Sequence, residues 1–337
     1  AGDGAAALLL GSDNVIAEFK GAASITDDFV DHYRGKDFSY DYNWEERWIK
    51  DEGLLKIAPR AVRALIEKTG VSGQEISRFV MPCVFGKVPY QVAGQFEIAP
   101  EKVCDTLFNV CGDTGSAHAL VMLVSALETA RPGDKLLVVS FGQGCSAMLF
   151  EVTEAIKNLQ ERRGIKGSLA DRKEEHNYIK FLSHRGMLDQ DWTIRAEANW
   201  KTALTTLYRN RKMIMGMVGG KCTACGTFQY PKSEICVNPE CKAVDSQEDY
   251  EFADEPGEIM SYTSDLLTFT MDPPAHYGMI TFQNGGRSMF DFTDYEQGKI
   301  EVGLPVRMVF RIRNVDQQRG FTQYFWKAKP IIQKEEA

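Results

Sequence analysis

The chain has 337 residues, room for two or three domains, with 44% hydrophobic and 26% charged residues and a formal net charge of −8. That balance is ordinary for a globular protein, and the acidity argues against a general nucleic-acid binder. No apolar run approaches the roughly eighteen residues of a membrane span, and the opening AGDGAAALLLG lacks the basic flank of a secretion signal, so a cytoplasmic location without a membrane partner is expected.

Residues 5–20 read as two strands split by Gly11-Ser12-Asp13-Asn14. Residues 21–53 are polar, aromatic and irregular, and read as a surface excursion, a lid or a subunit contact. Between Leu54 and Gly70, the residues Leu55, Ala58, Ala61, Val62, Leu65 and Ile66 recur at helical spacing. Phe79-Val80-Met81 reads as a buried strand and Val88 to Phe96 as a short helix. Residues 104–152 then run polar turn, helix, turn, strand, Gly-rich turn, strand. Asp113, Thr114 and Ser116 are helix N-cap types, and the nearly uncharged Ala119 to Leu127 predicts a buried helix. Arg131-Pro132-Gly133-Asp134 ends it. Leu136 to Phe141 is mostly apolar, as in a strand covered on both faces, and Gly142-Gln143-Gly144 lets backbone N–H groups approach something closely. The alternation fits a layered α/β half-domain over residues 1–155.

Residues 156–218 read as a basic helical connector, with 13 Lys/Arg against 7 Asp/Glu between 157 and 213. Trp200, Ala203, Leu204, Leu207 and Tyr208 form one stripe there, with Arg209, Arg211 and Lys212 off it. Either the stripe docks a solvated helix, or the basic side chains meet phosphates. Residues 221–242, KCTACGTFQYPKSEICVNPECK, place Cys222, Cys225, Cys236 and Cys241 as C-x2-C and C-x4-C. Clustered cysteines of this kind favour metal over disulfides, and four thiolates match tetrahedral zinc. With every position filled by sulfur, such a zinc is structural. From residue 256 to 332 the pattern is all-β. Val306, Met308, Phe310 and Ile312 alternate with Arg307, Val309, Arg311 and Arg313, and Asn284-Gly285-Gly286 marks a hairpin. Phe321, Tyr324, Phe325 and Trp326 are core aromatics or stacking groups for a ligand.

The order GD-x-G-x-A-x-A followed by PGD-x-LLVVSFG-x-G, within residues 104–152, resembles the C-terminal half of the thiolase-like condensing enzymes, of the hydroxymethylglutaryl-CoA synthase and ketoacyl synthase III type. The likeness covers about residues 1–155. The strands after the cysteine cluster resemble the zinc-ribbon plus OB-fold module that accompanies acyl-CoA thiolases and synthases. The expected fold class is therefore an α/β thiolase-like half-domain (1–155), a helical connector (156–218), a zinc ribbon (219–245) and an all-β OB-fold (246–337). The resemblance implies an acyltransferase that makes or breaks C–C bonds on coenzyme A thioesters through an acyl-cysteine. That cysteine belongs to the family's N-terminal half, so this chain is expected to be truncated or cleaved, or another chain to supply that half. A homodimer or larger assembly is expected as well.

The family's His and Asn polarise a thioester carbonyl and stabilise an enolate. Counting back from Gly86-Lys87-Val88-Pro89 puts Pro82 at the His position with Cys83 beside it, and Asp113 stands at the Asn position. The catalytic candidates are Asp113, His118 and Cys83. His118 acts as acid or base with Asp113 orienting it, or His118 is a core histidine and Asp113 a cap. Cys83 and Cys145 are proton-transferring thiols or small buried apolar groups. Gly142 and Gly144 fit the family's oxyanion loop. Two other readings stand beside the enzyme: a non-catalytic acyl-CoA-binding or scaffolding subunit, and nucleic-acid binding through ribbon and OB-fold.

Overall fold

The chain divides into two units, Ala1–Arg172 and Lys173–Ala337, in a computed structural model that describes residues 2–38, 40–160, 162–190, 203–268, 270–316 and 319–331. In the first unit β1 (Ala17–Thr26) is followed by a two-rung hairpin, β2 (His32–Tyr33) and β3 (Tyr42–Asn43). Helix α1 (Glu46–Trp48) continues through a π-helical stretch, Ile49–Leu54, into α2 (Leu55–Thr69). Then come β4 (Arg78–Val80), α3 (Val88–Gly94), α4 (Phe108–Cys111), α5 (His118–Leu127), β5 (Lys135–Gly142), β6 (Gly144–Val152) and α6 (Gly164–Ala170). The sheet runs β1-β6-β5-β4, with only the β4–β5 pair parallel.

Strand β5 is buried on both faces, which is why its sequence shows no alternation. Leu137 and Val139 pack with Ala58, Ala61, Val62 and Leu65 of α2. Leu136 and Val138 pack with Ala119, Met122, Leu123 and Ala126 of α5. Helix α2 ends where Gly70 adopts φ 69° and its N–H returns to the Ile66 carbonyl at 2.8 Å, the left-handed cap that glycine permits.

Two expectations need correction here. Of residues 5–20, only Ala17 onward forms a strand, and Leu9 and Leu10 are 101% and 86% exposed. An apolar run becomes a strand only where a neighbouring edge accepts its backbone groups, and no described residue pairs with it. The surface excursion is also shorter than 21–53, because β1 takes its start and the helix from Glu46 its end. Phe29 anchors that helix: a Cβ on Gly53 would lie 2.6 Å from the Phe29 ring.

Among the described residues, the second unit begins with the short helices α7 (Tyr178–His184), α8 (Leu204–Arg209) and α9 (Arg211–Gly216). Trp200 of the expected stripe lies outside the described residues. Leu204 and Tyr208 are 49% and 67% exposed, so the described part of the stripe is not docked, and Arg211 instead stacks 4.4 Å from the Tyr208 ring. A small sheet ordered β8-β7-β9 follows, from β7 (Val218–Cys222), β8 (Phe228–Gln229) and β9 (Gln247–Glu251). The last five strands are β10 (Gly257–Asp265), β11 (Ala275–Phe282), β12 (Arg287–Asp291), β13 (Pro305–Asp316) and β14 (Phe321–Pro330). They form a sheet ordered β12-β11-β10-β13-β14. A bridge between Phe292 and Ala328 joins its two edges, curling it into a small barrel. Ile259, Ile280, Phe282, Phe290, Val306, Met308 and Ala328 fill its core with Phe252. The Asn284–Gly286 turn forms as expected, with Gly285 and Gly286 at φ 109° and 82°. The alternation of β13 holds only from Val306 to Met308: Val309, expected on the polar face, is 7% exposed, and Ile312, expected on the apolar face, is 50% exposed just before the register shifts between Ile312 and Asn314.

Candidate functional site

The turn Arg131–Asp134 makes α5 and β5 antiparallel neighbours, so the N-terminus of α5 and the β5–β6 turn lie at one end of the layer. Ser140 and Ser146 stand opposite each other there, and Ser146 stands opposite Ser24. They continue the α5 face of the sheet beyond its apolar part. The Ser24 and Ser146 hydroxyls are 2.9 Å apart. Sequence reasoning did not single out this polar strip, since three isolated serines acquire meaning only from strand register.

Asp113 is exposed at the same end. Its Oδ1 accepts the Gly115 N–H at 2.8 Å and its carbonyl accepts the Gly2 N–H at 2.6 Å. His118 is 1% exposed. Its Nδ1 accepts the Thr114 N–H at 3.1 Å, with the Thr114 hydroxyl also at 3.1 Å. Its Nε2 lies 2.6 Å from the Thr106 carbonyl, so Nε2–H donates to that oxygen while Nδ1 accepts from Thr114. Phe108 stacks on it at 4.4 Å. Both ring nitrogens are therefore engaged by Thr106 and Thr114, and Asp113 is not among the partners. The Asp113–His118 pair does not form in this geometry, because the carboxylate is turned to the Gly115 amide.

Cys83 and Cys145 are buried, 6% and 4% exposed. Burial pushes the Cys83 thiol up to about 11 and the Cys145 thiol to about 12. Desolvation also raises Cys104 and Cys111. No thiol of the first unit is poised as a thiolate near neutral pH. Gly142 and Gly144 pair across the tip of the β5–β6 hairpin. Gly144 has φ 103°, and a Cβ there would lie 1.9 Å from the Ile25 carbonyl oxygen, whereas Gly142 is open.

In the second unit the four clustered cysteines converge. Every Sγ lies within 4.8 Å of the others. Cys222 and Cys241 are 3.9 Å apart and Cys225 and Cys236 are 3.6 Å apart. Tetrahedral zinc–thiolate bonds would set sulfurs about 3.8 Å apart, so the set fits such an ion. Gly226, at φ 75°, returns its N–H to the Cys222 carbonyl at 2.8 Å and closes the first knuckle. In the longer C-x4-C knuckle, the Cys241 N–H bonds the Asn238 carbonyl at 3.0 Å, and this tight turn absorbs the extra residues. The Thr227 hydroxyl and N–H lower the Cys225 thiol to about 6, and the Ser246 hydroxyl lowers that of Cys222. All four are free thiols rather than disulfides.

Comparison with known proteins agrees with this division. Residues 66–152 match the family of 3-oxoacyl-[acyl-carrier-protein] synthase III, C terminal. Residues 250–311 match the C-terminal OB-fold domain of ChsH2. Hydroxymethylglutaryl-CoA synthase of Methanopyrus kandleri is 32% identical over 187 residues, 55% of this chain and 52% of that protein. The same enzyme of Pyrobaculum aerophilum is 30% identical over 193 residues, 56% and 55% of the two chains. Among solved structures, 3-oxoacyl-[acyl-carrier-protein] synthase III of Aquifex aeolicus has a TM-score of 0.37 at 18% identity, covering 42% of this chain and 46% of that one. A chain of the Ltp2-ChsH2(DUF35) aldolase has a TM-score of 0.29 at 18% identity, covering 40% of this chain and 98% of its own. The chain spans about half the length of the curated relatives it matches. No helix among the described residues is long and apolar enough to cross a membrane.

Proposed function

From a chain that carries the C-terminal segment of a synthase III-type thiolase-like domain followed by a ChsH2-type OB-fold domain, we propose part of an acyltransferase that condenses, or thiolytically cleaves, coenzyme A thioesters. The observation that carries the reading is the match of over half the chain to hydroxymethylglutaryl-CoA synthases. The nucleophilic cysteine comes from an N-terminal thiolase half supplied by another segment or chain, a view supported by the raised thiols of Cys83, Cys104, Cys111 and Cys145. This chain contributes the end of the layer where Asp113, Gly142 and the serine strip lie. Asp113, exposed and beside the α5 N-terminus, is the side chain there best placed to hold or move a proton at a substrate thioester. Gly142, open and without a Cβ, leaves room for a backbone N–H to face an oxyanion. Acyl-CoA is the substrate, and a homodimer or larger is the working assembly.

Cys222, Cys225, Cys236 and Cys241 hold a structural zinc. With four sulfurs as ligands it leaves no open position for water, so its chemistry is to cross-link the two knuckles.

A second reading has its own observation. Pro82 stands where the family places its His, Asp113 where it places Asn, and both His118 nitrogens are committed to Thr106 and Thr114. These favour an acyl-CoA-binding or scaffolding subunit. Asp113→Ala in the complete assembly separates the two. A fall in turnover of about a hundredfold is expected for a proton-transfer role, and unchanged turnover would hand the case to the scaffold.

A further inference from the structure

A cleft of about 470 Å³ opens on the small β7–β9 sheet of the second unit, lined by Lys232, Ser233, Glu234, Asp245 and Gln247. Strand register builds its wall. Across β7 and β9, Cys222 stands opposite Gln247 and Gly220 opposite Asp249. The Gln247 side chain reaches over Gly220, where a Cβ would lie 2.6 Å from Oε1. Glycine is therefore what lets this amide lie against the β7 backbone.

The amide is unmet. Gln247 Nε2 and Oε1 are both buried, and neither has a hydrogen-bond partner. Buried amides in folded proteins are satisfied, so this one calls for a group that accepts at one atom and donates at the next. Its neighbours in the cleft are already committed. Lys232 Nζ is held by Asp249 Oδ1 at 2.6 Å. The Ser233 hydroxyl donates to the Ile235 carbonyl at 2.7 Å and accepts from Gln229 Nε2 at 2.8 Å.

The other two lining residues are acidic. The Asp245 N–H donates to the Glu234 carbonyl at 2.8 Å, which sets the two residues side by side. Neither carboxylate has a hydrogen bond or ion pair among the described residues. The flanking residues Ile235 and Val244 form a bridge, and both are exposed, as is Val237. Apolar side chains left in water beside a polar cleft mark a contact with another polypeptide. Residues 245–258 hold seven Asp/Glu and no Lys/Arg, a balance that repels nucleic acid and anionic lipid and attracts a cation.

We infer that this cleft binds an extended segment of a partner polypeptide that carries an arginine beside an apolar residue. The guanidinium fork suits two adjacent carboxylates, here Glu234 and Asp245. A backbone peptide group offers the N–H and C=O that the Gln247 amide lacks. The apolar neighbour covers Ile235 and Val244. The site lies wholly in the second unit and needs no thioester, so it stands whether or not the acyl-CoA reading does.

The test titrates the full, zinc-loaded chain with the peptide acetyl-Ala-Val-Arg-Val-Ala-amide, with the same peptide carrying citrulline in place of arginine, and with arginine amide. Citrulline keeps the shape of arginine and removes its charge. The variants are Gln247→Met, Glu234→Gln and Asp245→Asn. The last two keep the side-chain shape, and asparagine tolerates the φ of 53° at position 245, so they remain folded if Gln247→Met does not. The arginine peptide is expected to bind, about tenfold more weakly when citrulline replaces arginine and about tenfold more weakly to each folded variant. Equal affinity for the two peptides, or no binding at about 1 mM, would overturn the site. Arginine amide bound as tightly as the peptide would replace the polypeptide with a small molecule and overturn it too. Self-association of the chain that Glu234→Gln and Asp245→Asn abolish would overturn the separate partner in favour of a second copy.

Discussion

His118 is held at three points, by Thr114, Thr106 and Phe108. His118→Ala strips partners from a buried N–H and a carbonyl and opens a cavity beside Phe108, which costs about 2–4 kcal/mol of stability. Chemical denaturation measures that loss, and a stability unchanged from wild type would refute the structural role. Cys83 and Cys145 lead to a second expectation. With thiols near 11 and 12, neither is alkylated in the folded protein near neutral pH, and both react once it is unfolded. Peptide mapping after brief iodoacetamide treatment distinguishes the cases. His276 adds a pH dependence. It is 8% exposed, its Nδ1 lies 2.8 Å from the Ser264 hydroxyl, and its Nε2 has no partner. Burial lowers its pKa, against the raising pull of the Thr263 backbone and Asp272. The unfolded chain therefore takes up this proton first. Stability declines as pH falls below the ordinary histidine value of about 6.5, until the lowered folded value is passed. Urea titrations of wild type and His276→Gln across that range check it, the variant losing the dependence. A core histidine at 118 and buried thiols at 83 and 145 were among the readings the sequence left open, but the partners that hold His118 were not legible. Thr106 lies twelve residues from His118, and only the folded loop brings its carbonyl to the ring.

At the scale of elements, two glycines on either side of Gln143 make opposite demands. Gly144→Ala sets a Cβ against the Ile25 carbonyl at a left-handed φ, whereas Gly142→Ala meets nothing within 4 Å. The first substitution is expected to cost about 2 kcal/mol or more and the second under about 1. Equal stabilities for the two would contradict the close approach of β1. The sequence marked both as a ligand-facing loop, since a Gly-rich turn does not say whether its neighbour is ligand or backbone. Other elements were plain. Helix α2 and strand β5 carry local patterns, period 3.6 in one and unbroken burial in the other, that no distant contact has to complete. Residues 5–10 looked equally strand-like, but pairing is a long-range property. The described stripe of Leu204 and Tyr208 has helical spacing yet lies exposed, because periodicity shows a face without showing what covers it.

At the scale of the whole molecule, the cysteine cluster was the most legible feature, since four soft ligands at close spacing have few other uses. Its prediction is separable from the enzymology. Metal analysis is expected to find about one zinc per chain, and chelation to unfold the small β7–β9 sheet. Full folding without metal would refute it. The division into a thiolase-like segment and an OB-fold was legible from motif order. The chemistry was less so, because counting along the motifs sets Pro82 and Asp113 where the resemblance leads one to expect His and Asn. The most direct measurement is therefore of the acyl group itself. The complete natural assembly is incubated with short acyl-CoAs, and the mass of every polypeptide and the labelled residue are determined. The account predicts one acyl-cysteine, on the N-terminal thiolase half and on none of the eight cysteines of this chain. Acylation of a cysteine within these 337 residues, or no acyl-enzyme with any acyl-CoA tried, would contradict it.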